Sequence, residues 1–195
     1  MVAAVSGGAF FLKYPMTESQ QTAATRLAQL EWRWKSFAHL TSVEVYETLA
    51  ARSAVFVVEQ NCVYADIDGL DMAAWHLLAY GAAADAGAGV DAGANAGANV
   101  TQPSLAGYLR VLLPDADDTD VRIGRVLTTA PFRGIGLGNA MLERALVHIR
   151  AQWPGTPIRL HAQAHLQKFY GAFGFAPVSE IHDEDGIPHV WMRSV

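Results

Sequence analysis

The chain predicts one α+β domain, and three observations carry that prediction. Its 195 residues, 51% of them hydrophobic, supply one substantial core and too little length for two ordinary domains. Short apolar runs of strand length are interspersed with stretches of helical period. The third observation is local: the apolar segment 121–128 leads into Arg133-Gly134-Ile135-Gly136-Leu137-Gly138, and an amphipathic stretch continues from there.

Residues 1–29 read as a poorly ordered N-terminal extension, because Gly7-Gly8 and the polar run from Thr17 to Thr25 offer little to a core; residues 30–195 form the domain. The first strand is 30–37, where Leu30, Trp32, Trp34 and Ser36 alternate with Glu31, Arg33, Lys35 and Phe37. Ser42 caps a helix whose Val43, Tyr46, Leu49 and Ala50 share one face. The apolar run 54–58 follows, then a loop over 61–74 and a strand over 76–81. The interval 82–104 is almost wholly Ala, Gly, Asp and Asn, so it predicts a flexible insert, tolerable because loop closure entropy grows slowly with length. Segments 105–113 and 121–128 form an antiparallel pair around the acidic turn 114–120. After the glycine run, Leu137, Met141, Leu142, Ala145, Leu146 and Ile149 make one helical face, which Pro154-Gly155 terminates. A buried strand covers 158–162, and a short helix over 166–173 ends at Gly174. Segments 178–181 and 189–192 close the chain as a hairpin around Asp183-Glu184-Asp185-Gly186.

The glycine run reads as a phosphate cradle. Glycines at alternate positions let the backbone approach an anion, and the following helix aims its unpaired N–H groups and positive dipole end at it. A P-loop requires Gly-Lys-Ser/Thr, whereas this run ends Leu137-Gly138-Asn139; the dinucleotide fingerprint requires a third glycine where Asn139 stands. A net charge of −5 without basic runs argues against nucleic acid or an anionic membrane as partner. The apolar patch 9–12 is too short to span a bilayer and precedes its lysine, so neither a signal peptide nor a membrane helix is expected. Cys62 is the only cysteine, which suits a reducing cytoplasm.

Downstream of the cradle stands Phe169-Tyr170-Gly171-Ala172-Phe173-Gly174-Phe175. Strand, cradle, helix, strand and this segment, in that order, resemble the GNAT superfamily of acetyl-CoA-dependent N-acetyltransferases. Arg133, Gly136 and Gly138 match its Arg/Gln-x-x-Gly-x-Gly/Ala motif, and Tyr170 with Gly174-Phe175 matches its Tyr-x-x-x-Gly-Phe motif. The chain further resembles the ElaA-like branch through RSAVFVVEQ at 52–60, Asp66-Ile67-Asp68-Gly69, AQAHLQ at 162–167 and EDGIPH at 184–189. The similarity covers residues 30–195 apart from the insert. It implies an α/β/α layered GNAT fold: a mixed sheet of about seven strands, splayed between the fourth and fifth, with helices on both faces and the donor's pantetheine arm in the gap.

The resemblance also implies roles. Val126, Leu127 and Thr128 supply backbone groups to the pantetheine and thioester, and the amides of Arg133, Gly134, Ile135, Gly136, Leu137 and Gly138 hold the diphosphate. Gln163 stands at a position expected to touch the cofactor or a water. Tyr170 is the candidate acid that protonates the leaving thiolate. The strand 121–128 holds no carboxylate for the general base, so Glu59, His76 and His161 are kept as candidates beside a water relay. For each of the three the competing reading is a hydrogen-bonded fold residue. Asp66, Asp68 and Asp71, with Glu59, read either as a solvated loop or as an acidic mouth for a cationic amine; the calcium-loop pattern is incomplete. His161 and His165 are separated by a strand-to-helix junction, so no metal site is expected. The predicted activity is acetyl transfer from acetyl-CoA to a primary amine of a small molecule or peptide, with a second copy of the chain kept as a candidate partner. A noncatalytic acyl-CoA sensor and an acyltransferase with another donor are the alternatives.

Overall fold

The computed structural model describes residues 17–62, 64–82, 103–116 and 118–194. The expected insert therefore lies outside the described residues except at its margins. Helix α1 (Glu18–Ala28) is followed by β1 (Glu31–Ser36) and α2 (Ser42–Arg52), which runs on as a π-helical turn over Ser53–Glu59. Then come β2 (Trp75–Gly81), β3 (Ser104–Leu112), β4 (Val121–Thr128), α3 (Leu137–Gln152), β5 (Ile158–Gln163) and α4 (Gln167–Gly171). Short strands β6 (Ala176–Pro177) and β7 (His182–Glu184) precede β8 (Ile187–Ser194). No helix among the described residues is long and apolar enough to cross a membrane.

The sheet order is β1-β2-β3-β4-β5-β8-β6, with β7 also on β8. Every pairing is antiparallel except β4 with β5, which are parallel. That parallel pairing covers only 121–123 against 158–160, so the C-terminal halves of the two strands part and the sheet opens. On one face α3 buries Leu137, Met141, Leu142, Ala145, Leu146 and Ile149, the face its periodicity marks. On the other, Val55 of the π turn covers Leu78, Tyr80, Leu105, Tyr108 and Leu127. Strands buried on both faces lose strict alternation, and β2 and β3 accordingly read as nearly continuous apolar runs.

Four details differ from the sequence expectation. Within the expected extension, 18–28 is helical: Thr17 and Gln20 form a capping box, and Ala23 and Leu27 pack on the core. Thr41, not Ser42, caps α2, again in a capping box with Glu44. The α2 face is also reversed, because Val43 and Tyr46 are 61% and 75% exposed while Glu44, Thr48 and Arg52 turn inward. Charge satisfaction decides this: Lys35 Nζ donates to both Glu44 oxygens at 2.8 and 2.9 Å, and Arg33 donates at 3.0 Å. Finally, the terminal hairpin uses 182–184 in place of 178–181. Asp185 and Gly186 both have positive φ, 53° and 81°, as a two-residue type I′ turn requires, and that turn fixes the register.

Candidate active site

Where β4 and β5 separate, a cavity of about 220 Å³ opens, lined in part by Val126, His161, Gln163, Tyr170, Glu184 and His189. β4 carries a bulge at this point: Tyr108 pairs with Leu127 but Arg110 with Gly124, and Arg125 has φ 52°. The bulge bends the strand away from its ladder as it reaches the gap. From the opposite side the π turn brings Gln60 to the same cavity, where Gln163 Nε2 donates to Gln60 Oε1 at 3.1 Å.

Beyond the end of β4, Thr128, Arg133, Gly134, Gly136, Leu137 and Gly138 line a second, shallower hollow. Gly134 and Gly136 have φ of +77° and +83°, which L side chains adopt only with strain, so a plain turn would already account for these two glycines. Gly138 is different. It lies in the first turn of α3 without positive φ, and a Cβ there would meet nothing nearer than the Phe169 ring at 3.7 Å. Neither backbone strain nor crowding demands glycine at 138, so its bare surface serves the open side of the turn. There the first-turn amides of α3 lack intrahelical acceptors and the dipole is positive, which fits a bound diphosphate.

Arg133 is held within the chain by three hydrogen bonds. Its Nη1 and Nη2 donate to Glu59 Oε1 and Oε2 at 2.7 and 2.8 Å, and its Nε donates to the Thr128 carbonyl at 3.1 Å. The bidentate guanidinium holds the Glu59 carboxyl below its usual range, which makes it a poor proton acceptor. His76 does not reach the gap. It is buried between the Tyr108 hydroxyl, 2.8 Å from Nδ1, and the Asp71 carbonyl, 3.0 Å from Nε2, and burial lowers its pKa. His161 does line the cavity, with burial lowering its pKa against the opposing charge of Glu184.

Tyr170 projects from α4 and is 6% exposed. Its ring packs edge-on against Phe169 and Phe175, while its hydroxyl finds no hydrogen-bond partner among the described residues. Burial pushes its pKa up to about 12, so the phenol is protonated at neutral pH. The acidic-mouth reading of the 66–71 loop is overturned. Arg52 donates to Asp66 Oδ2 at 2.8 Å and Asp71 Oδ1 at 2.6 Å, while Arg110 holds Asp68 and Asp71 and Arg125 holds Asp66 and Asp68. These carboxylates are consumed in the fold.

A sheet opened between its parallel central strands, with a glycine turn at one end of the gap and a buried phenol lining it, defines the class of acyl-CoA-handling transferases. The chain belongs to the GNAT acetyltransferase family: residues 98–195 match the family described as "Acetyltransferase (GNAT) domain". It is 39% identical over 165 residues to protein ElaA of Escherichia coli, covering 84% of this chain and 95% of ElaA. It also resembles the crystal structure of an acyl-CoA N-acyltransferase from Pseudomonas aeruginosa at 41% identity and TM-score 0.71, over 85% of this chain and 99% of that one. For the crystal structure of E. coli ElaA the figures are 37%, 0.69, 85% and 99%.

Sequence reasoning missed the engagement of Arg133 by Glu59 and the gathering of His161, His182 and Glu184 at the cavity rim. The first pair is 74 positions apart and leaves no periodic trace. The second depends on the hairpin register.

Proposed function

We propose that this protein transfers the acetyl group of acetyl-CoA to a primary amine of a small molecule or peptide by direct attack in a ternary complex. The observation that carries the reading is Gly138, a glycine the fold does not need, at a helix start beside the opened sheet. On this reading the amides of 133–138 hold the diphosphate, and the 126–128 backbone holds the pantetheine arm in the gap. Gln163 borders the thioester end of the cleft and orients the donor or a water. Gap and cradle together hold the thioester beside the acceptor, and proximity and orientation account for most of the acceleration. A backbone amide near Leu127 donates to the oxygen of the reacting carbonyl. The acceptor loses its ammonium proton to water before attack. As the C–S bond breaks, Tyr170 gives its proton to the departing sulfur and recovers one from the newly acylated nitrogen.

Thiol release from acetyl-CoA against an amine library tests the proposal. Amine-dependent turnover is the expected result; CoA binding with no turnover across the library would favour a sensor. Turnover only with longer acyl donors would replace the acetyl assignment.

A further inference from the structure

Strand alternation gathers a set of side chains that lie far apart in sequence. His161 pairs with Trp191, Gln163 with His189, and His189 with His182, so His161 and Gln163 of β5, His189 and Trp191 of β8, and His182 and Glu184 of β7 share one face. Each of the three imidazoles there is anchored by its Nδ1. His161 Nδ1 lies 2.8 Å from Glu184 Oε2, His182 Nδ1 lies 3.1 Å from the Glu180 carbonyl, and His189 Nδ1 lies 2.8 Å from the Ile187 carbonyl. Carbonyls only accept, so Nδ1 of His182 and of His189 carries the hydrogen and their Nε2 atoms keep a lone pair, and the Glu184 carboxylate beside His161 Nδ1 favours the same tautomer there.

Two of those lone pairs face each other, because His161 Nε2 and His182 Nε2 are 2.9 Å apart. The contacts Glu184–His161, His161–His182 and His182–Glu180 need three hydrogens, and two neutral imidazoles supply two. With both rings neutral one contact lacks its hydrogen, so either one ring takes up a proton or a bound cation makes the third hydrogen unnecessary. A cation bound by the two Nε2 atoms removes the deficit and leaves both Nδ1 hydrogens donated. A carbonyl on the far nitrogen, as Glu180 provides for His182, is a usual outer-shell support of a metal-bound histidine.

We propose that His161 and His182 bind one divalent transition metal of borderline softness, such as Zn²⁺ or Co²⁺, through Nε2 at the rim of the cavity. Glu184 is the third ligand, since one donor atom from each of the three residues lies within 4.8 Å of the others. Coordination moves Glu184 from the far nitrogen of His161 toward the ion, and water takes its place there. Two metal–nitrogen bonds of about 2.0–2.1 Å at a tetrahedral angle set the nitrogens ~3.3 Å apart, so the rings separate by a few tenths of an ångström on loading. Imidazole donors exclude Mg²⁺ and Ca²⁺, which take oxygen. The ion borders the cavity that Tyr170 and Gln163 also line. This inference stands apart from acetyl transfer and holds for a noncatalytic member of the family as well.

The test uses the tag-free full chain, stripped with chelator and titrated with Co²⁺ and then Zn²⁺. The expected result is one Co²⁺ per chain with the visible absorption of a low-coordinate site, displaced by one Zn²⁺. His182→Ala and Glu184→Gln should each weaken Zn²⁺ binding at least ten-fold, while His165→Ala leaves it unchanged. Imidazole nitrogen NMR on the unsubstituted protein needs no variant: Zn²⁺ should shift Nε2 of His161 and His182 and leave both Nδ1 nitrogens protonated. No stoichiometric uptake, uptake that survives loss of His182, or rings that share a proton and ignore Zn²⁺ would each overturn the proposal.

Discussion

Replacing Gly138 by Asp separates the two explanations of the glycine run, because each predicts a different sign. The position is the second residue of α3 after the N-cap Gly136, it has no positive φ, and the added Cβ meets only the Phe169 ring at 3.7 Å. Removing a helical glycine is favourable by up to ~1 kcal/mol, and an acid in the first turn adds about 0.3–1 kcal/mol through the dipole, less the poor helix propensity of Asp. Thermal stability without ligand should therefore hold or rise slightly. A diphosphate in the cradle would meet the new carboxylate at roughly 5–6 Å, where each like-charge pair costs about 3 kcal/mol at an effective dielectric constant near 20. Even half of one such pair weakens binding about ten-fold. Calorimetry with CoA, and in parallel with pantetheine, which lacks the diphosphate, reads the effect directly. CoA should lose at least ten-fold in affinity and pantetheine little. A stably folded variant that binds CoA as well as the parent would refute the cradle. Gly136→Glu is a less clean probe, because φ +83° strains any side chain there and loss of binding could then follow from loss of the turn.

Tyr170→Phe should lower kcat about 10²–10⁴-fold with little change in CoA affinity or melting temperature, since the hydroxyl bonds nothing among the described residues; unchanged kcat removes it as the acid. Glu59→Gln frees Arg133 from its exposed bidentate pair and should tighten CoA binding by no more than about five-fold, an effect that fades with added salt; weaker binding would mean that Glu59 positions Arg133. Arg52→Ala removes the buried guanidinium shared by Asp66 and Asp71, leaving them only Arg125 and Arg110 as charged partners, and should cost up to about 3–5 kcal/mol in urea unfolding; a loss below ~1 kcal/mol would show that the remaining arginines suffice. Burial raises the Glu44 and Asp68 pKa values, but Lys35, Arg33 and the Thr41 amide for the first, and Arg110, Arg125 and the Leu70 amide for the second, bring both to about 2. Folded values below the ordinary 4.5 and 3.8 mean that their contribution is complete above those values and disappears as pH falls toward 2. Urea midpoints should stay level from pH 7 to 5 and drop below pH 4; a midpoint unchanged at pH 2.5 would contradict this assignment.

The sequence by itself determined the features that depend on neighbours along the chain. The buried face of α3 follows from helical period, the strands from alternation or apolar runs, and the turn into α3 from glycines immediately before a helix start. Each is a local rule whose partners lie within a turn or a pleat. Tertiary structure decided which side of α2 faces inward, because Glu44 and Arg52 answer to Lys35, Arg33, Asp66 and Asp71, and paired buried charge outweighs the small apolar gain from Val43 and Tyr46. It likewise withdrew Glu59 to Arg133, walled His76 away from the gap and neutralised the 66–71 carboxylates. The register of β7, set by the Asp185-Gly186 turn, carried His182 to His161. Charge pairing and cross-strand register act between residues distant in sequence, and no pattern along the chain records which distant partner a side chain will meet.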